Sequence, residues 1–178
     1  TTITAGGRIN VTSATGTKFF TGDFTNNGTW SVTTGNSPIT FTGNVTNNGT
    51  FTAGSGTYSF SGLSKTVNTT NSTALTISTV SLIGSYTIGS GFASGNPFNV
   101  LTAITLTLGT SSVINNGVFT TASLTITNAA GTFTNNGTAT FTNTFAGSAS
   151  AVFTNAANST LNIGTASVTP AITASANS

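Results

Sequence analysis

The stretch Phe24-Thr25-Asn26-Asn27-Gly28-Thr29-Trp30 returns as Val45-Thr46-Asn47-Asn48-Gly49-Thr50-Phe51. It returns again as Val113-Ile114-Asn115-Asn116-Gly117-Val118-Phe119 and as Phe133-Thr134-Asn135-Asn136-Gly137-Thr138-Ala139. Two looser copies match each other, Val67-Asn68-Thr69-Thr70-Asn71-Ser72-Thr73-Ala74-Leu75 and Phe153-Thr154-Asn155-Ala156-Ala157-Asn158-Ser159-Thr160-Leu161. The copies begin at 24, 45, 67, 113, 133 and 153, so neighbours lie 20 to 22 residues apart except across one gap of 46. That gap holds two periods, and Ile88-Gly89-Ser90-Gly91-Phe92 stands in for the missing copy. A second landmark keeps step: Phe20-Thr21-Gly22, Phe41-Thr42-Gly43 and Phe60-Ser61-Gly62 each precede a copy.

A fixed period of this length is the mark of stacked supersecondary units. Asn-Asn-Gly is a turn signal, since Asn and Gly accept the left-handed conformations of tight corners. In a hairpin it would join antiparallel strands, which leaves a meander, sandwich or barrel open. The regular period favours a parallel β-helix (β-solenoid) with rungs of about 20–23 residues. Rungs ~4.8 Å apart would make eight of them a rod of ~40 Å. The reading is all-β, with residues 1–178 as a single solenoid repeat domain.

The flanks of the corners alternate as strands do. Tyr58 and Phe60 stand two apart, and Ile104, Leu106 and Leu108 alternate with Thr105 and Thr107. Apolar residues can then fill the interior while Thr faces out. Asn26, Asn47, Asn115 and Asn135 are expected to stack as one amide ladder. Phe24, Val45, Val67, Val113, Phe133 and Phe153 are expected to form one internal apolar ladder. A second would hold Trp30, Phe51, Leu75 and Phe119.

Only 2% of the 178 residues are charged, namely Arg8, Lys18, Lys65 and Asp23, against roughly 25% in ordinary soluble domains. A net charge of +2 spread over four side chains gives no basic surface for nucleic acid. His and Cys are absent, which removes disulfides and the usual zinc ligands. One carboxylate side chain cannot supply the pair that glycoside hydrolysis uses. Asp23 stands where the next copy has Asn44, so it reads as a turn residue; Lys18, Lys65 and Arg8 read as solvated. The expectation is therefore no enzyme, no cofactor and no metal. No stretch approaches the ~20 apolar residues of a membrane helix, so no membrane insertion is expected. The chain opens Thr1-Thr2-Ile3-Thr4, inside the repeat, and reads either as a processed protein or as a piece of a longer one. Eight Asn-x-Ser/Thr triplets begin at Asn10, Asn27, Asn44, Asn48, Asn68, Asn71, Asn136 and Asn158, and composition alone accounts for most of them.

Thr46-Asn47-Asn48-Gly49-Thr50-Phe51 and Phe41-Thr42-Gly43-Asn44-Val45 resemble repeats of large bacterial surface exoproteins, adhesin-like and autotransporter-like β-helical proteins. The resemblance implies secretion, a right-handed parallel β-helix and a role in adhesion, matrix or a surface layer. It carries no functional residue across. The expected function is an extracellular, cell-surface structural fibre or surface-layer subunit that stacks on itself as a homopolymer. The alternative is an adhesin stalk for glycans or surfaces. Thr-x-Thr pairs resemble the ice-binding faces of some antifreeze proteins, but in the sequence they do not recur at one fixed place in every rung.

Overall fold

The computed structural model describes residues 1–34, 36–82, 85–106, 112–126, 131–147, 151–164, 168–169 and 172–174. The fold is a β-solenoid of about seven turns, built of parallel strands with no helix among the described residues. The first three turns have three strands each. They are β1 (Thr2–Ile3), β2 (Arg8–Val11) and β3 (Lys18–Phe20), then β4 (Phe24–Asn26), β5 (Thr29–Val32) and β6 (Ile39–Phe41). The third turn holds β7 (Val45–Asn47), β8 (Thr50–Thr52) and β9 (Thr57–Phe60). Later turns fuse the second and third sides into one long strand. They run β10 (Lys65–Asn68) and β11 (Leu75–Leu82), β12 (Ser85–Ile88) and β13 (Phe98–Leu106), β14 (Ser112–Asn115) and β15 (Val118–Ile126), β16 (Thr132–Asn135) and β17 (Thr138–Gly147). Four short strands follow: β18 (Val152–Asn155), β19 (Thr160–Ile163), β20 (Val168–Thr169) and β21 (Ile172–Ala174).

One nine-stranded sheet holds the strand that enters each corner, in the order β1-β4-β7-β10-β12-β14-β16-β18-β21. A second runs β3-β6-β9-β11-β13-β15-β17-β19, with β20 beside β17. A third, β2-β5-β8, exists only in the three-sided turns. The parallel pairing answers the hairpin alternative: each Asn-Asn-Gly turns the chain from one sheet into the next, not back along its own strand.

Alternation does the rest. In β16 and β18, Phe133 and Phe153 are fully buried and their neighbours are not. The two rings are register partners, stacked at 5.1 Å and 6°. Trp30 and Phe51 stack likewise, at 5.7 Å and 16°. Burial of one such side chain contributes roughly 1.5–3 kcal/mol, and no turn can bury its own apolar side without the next. The degenerate copy at Ile88–Phe92 is a true corner: Asn116 N–H donates to Ile88 O at 2.9 Å and Val118 N–H to Phe92 O at 3.0 Å. This turn is longer than the expected 20–23 residues, since register partners Ile88 and Asn115 lie 27 apart. The surplus forms the loop that the Ala93–Asn96 bridge closes.

Candidate functional site

The corner is the most elaborated feature of the chain. In Asn26-Asn27, the first Asn is fully buried and the second is exposed. Asn26 Oδ1 accepts from the Gly28 N–H at 3.1 Å, which fixes the amide and leaves Nδ2 aimed along the solenoid axis. There it donates to Asn47 Oδ1 at 2.8 Å and to Thr50 O at 2.9 Å. Asn115 does the same to Asn135 (2.8 Å) and Thr138 O (3.0 Å), and Asn135 to Asn155 (2.7 Å) and Thr160 O (2.9 Å). A buried amide is costly unless all its bonds are made; Asn135 uses both lone pairs and both N–H groups.

The outer Asn residues form a second ladder that the repeat alone did not reveal. Asn48 Nδ2 donates to Asn27 Oδ1 at 3.0 Å, and Asn136 Nδ2 to Asn116 Oδ1 at 2.9 Å. It runs toward earlier turns, opposite to the inner one. The signal was present, since both Asn positions repeat together.

The glycines correct the expected reason for their presence. None of Gly28, Gly49, Gly117 and Gly137 has a positive φ. Each lies over a carbonyl of the turn below. A Cβ on Gly49 would stand 2.2 Å from Gly28 O, and one on Gly137 2.3 Å from Gly117 O. Close stacking, not a left-handed turn, demands glycine there. Within the two looser copies a left-handed residue does occur, at the matching places Ser72 and Asn158. Those corners are two residues wider.

The single six-residue apolar ladder and the single Asn ladder are each divided in two. Phe24, Val45 and Val67 are successive register partners, but Val67 then faces Ile88, and Ile88 faces Asn115. Val113, Phe133 and Phe153 form a separate column that begins at Tyr86. Asn26–Asn47 and Asn115–Asn135–Asn155 are therefore distinct ladders, displaced by two residues. Thr69 explains the break. It takes the Asn place in the wide corner and accepts from the Thr73 N–H at 3.0 Å. Above it the chain has room only for Gly89 and Gly91, whose added Cβ atoms would meet Asn68 Cγ at 2.2 Å and Thr69 O at 1.8 Å. Asn47 ends its ladder on Ala74 O at 3.3 Å. In the second expected ladder, Trp30 faces Phe51, while Leu75 faces Phe98 and Phe98 faces Phe119; Phe98 was not expected.

Asp23 is fully exposed and accepts from the Asn44 N–H at 2.8 Å and Asn44 Nδ2 at 3.1 Å. These bonds, with lesser help from Lys65 and the N-terminal amine, hold its carboxyl below the usual range. Asn44 Oδ1 accepts in turn from the Thr66 N–H at 2.9 Å, so Asp23 starts a short surface chain that runs past the corners before the first three copies. Lys18 Nζ donates to Thr15 O and Gly16 O, both at 2.8 Å. Tyr58 is fully buried; its hydroxyl accepts from Trp30 Nε1 at 3.1 Å and donates to Ala53 O at 2.9 Å. Burial pushes its phenol far above the ordinary value. Among the described residues no three His, Cys, Asp or Glu gather, and no helix is long and apolar enough to cross a membrane. Of the Asn-x-Ser/Thr residues, Asn27, Asn44, Asn48 and Asn68 have amides committed to neighbouring turns, as does Asn136.

One hollow of about 300 Å³ opens at the surface where the register slips. Ser64, Ser85, Tyr86, Thr87, Ser112 and Ile114 line it. It offers hydroxyls and an apolar patch. No family model matches the chain, and neither a curated protein nor a solved structure does.

Proposed function

We propose that this chain is a structural segment of an extracellular, cell-surface fibre or layer, of the repeat-rich exoprotein kind, that works by shape and self-association and not by catalysis. The observation that carries this is the pairing of an interior filled by axial ladders with an exterior almost free of charge. Neutral Ser, Thr and Asn faces lack the repulsion that keeps rods apart. The lower edges of β1, β2 and β3 end their sheets, and a further rung, from this chain or another copy, extends such edges by the pairing used throughout the rod. Negative-stain electron microscopy of the full chain over a dilution series tests the reading. Filaments with an axial period that is a multiple of ~4.8 Å are expected. Monodisperse short rods at high concentration would overturn self-assembly.

The hollow beside Tyr86 supports a second reading, an adhesin stalk that holds a glycan there. Glycan-array binding that Ser112→Trp abolishes, in protein that stays monomeric, would favour it over the fibre.

A further inference from the structure

The register gathers Thr and Ser residues that stand two apart, among them Thr57/Ser59, Thr79/Ser81 and Ser123/Thr125, into straight files. Along β9, β11, β13, β15 and β17, Thr57 faces Thr79, Thr79 faces Ala103, Ala103 faces Ser123 and Ser123 faces Thr144. Two residues on, Ser59, Ser81, Thr105, Thr125 and Ala146 form a parallel file. The residues between the files are interior: Tyr58 and Leu124 are fully buried and Val80 nearly so. The described side chains of both files therefore lie on the outer face. Register shifts fall before the files begin, between Ile77 and Thr79, Val100 and Ala103, and Thr121 and Ser123. The register of the two files is unbroken over five turns, with Ala103 and Ala146 standing where the other rows carry a hydroxyl.

We propose that this grid binds the water lattice of ice. Its repeat is ~4.8 Å along the rod and ~6.6 Å between the files. A water lattice built from hydrogen bonds of about 2.75 Å at tetrahedral angles places second-neighbour oxygens about 4.5 Å apart and repeats every two layers at about 7.3 Å. Each mismatch is about a tenth or less. The chemistry agrees with the spacing. Thr presents a methyl and a hydroxyl, and its branched Cβ restricts χ1, so little side-chain freedom is lost on docking. Among the described residues the hydroxyls of Thr57, Ser59, Ser81, Thr125 and Thr144 bond to no protein atom and remain for water. All four charged residues, Arg8, Lys18, Asp23 and Lys65, lie outside the grid. No ammonium there holds a hydration shell of its own against the lattice. The grid also lacks aromatic side chains, which a sugar-ring surface would stack upon.

The test is freezing-point hysteresis of the full chain, read on the monomeric fraction so that filament formation plays no part. Wild type is expected to show hysteresis. The double substitution Ser81→Lys and Thr125→Lys is expected to abolish it at unchanged melting temperature. Ser31→Lys, on the outer face of β5, is expected to leave it intact. Absence of hysteresis in wild type, or equal hysteresis in the double variant, would overturn the proposal. Wild-type binding to microcrystalline cellulose, lost in the double variant and unaccompanied by hysteresis, would overturn it as well and reassign the grid to a polysaccharide.

Discussion

The turns below β10 and those above β12 solve one packing problem in two ways. Below, three short sides enclose an aromatic box in which Phe24 meets Phe41 at 4.9 Å and Trp30 edge-on at 5.4 Å. A polar tie crosses it, from Trp30 through the Tyr58 hydroxyl to Ala53 O. Above, one short and one long strand enclose stacked Phe rings, as at Phe133 and Phe153. Arg8, Lys18 and Asp23 belong to the lower part, and Lys65 lies in β10 at the boundary. The two parts use the same Asn-Asn-Gly corner but are out of register by two residues. That number is permitted because side chains alternate with period two. A slip of two keeps every apolar side chain inside, whereas a slip of one would turn the whole set outward. Corners are thus modular: ladders can end and begin again wherever the in–out pattern survives.

The largest expected effect tests whether that modularity holds at the glycines. Gly49→Ala, in the lower part, and Gly137→Ala, in the upper, each drive a Cβ onto a backbone carbonyl that cannot swing aside. Overpacking against a fixed neighbour costs about 3 kcal/mol. Both variants should lose comparable stability in denaturant melts. If either melts like wild type, close stacking is not what selects glycine at that corner.

A smaller effect separates the ladders. Asn135→Ala removes the middle of the three-membered upper ladder and strands the Asn115 amide, the Asn155 carbonyl oxygen and Thr160 O together. Asn47→Ala strands only the end of the lower one. Each buried group left without a partner costs about 1–3 kcal/mol. Asn135→Ala is therefore expected to destabilise by about 3 kcal/mol and Asn47→Ala by about half as much. Equal losses would mean that the ladder bonds act independently of their place in it.

Most of the solenoid was legible because its signals are local. The Asn-Asn-Gly period, the Tyr58/Phe60 alternation and the Phe-Thr-Gly landmark each report on a few neighbouring residues. The slip between β10 and β12 was not legible, because it depends on what lies one turn away. Nothing in Ile88-Gly89-Ser90-Gly91-Phe92 says that Asn68 and Thr69 fill the space beneath it. The function of the corner glycines was hidden for the same reason: a turn and a close approach select the same residue. The Thr files were hidden by the slip itself and by the bulges in β11, β13 and β15. These set the Thr and Ser positions of the files at unequal sequence spacings while the register holds them in line.

The smallest effect uses the charge difference between the parts. Asp23 carries the sole side-chain carboxyl, and the bonds from Asn44 hold its pKa below the usual range in the fold. The unfolded chain, with an ordinary value near 3.9, then binds a proton at higher pH than the folded one. The stabilisation is fully present above that unfolded value and is lost as pH falls through the folded one. Because the group is fully exposed, solvent screens it and the effect is small. In melts between about pH 2 and about pH 6, wild type should weaken slightly at the acid end, and Asp23→Asn should flatten that limb. Hydrogen exchange locates the change. Amides around Thr25, Asn44 and Thr66 should lose protection in acid, while those of β14, β16 and β18 keep theirs. Acid loss spread evenly along the rod would show that the two parts, despite their separate registers, unfold as one unit.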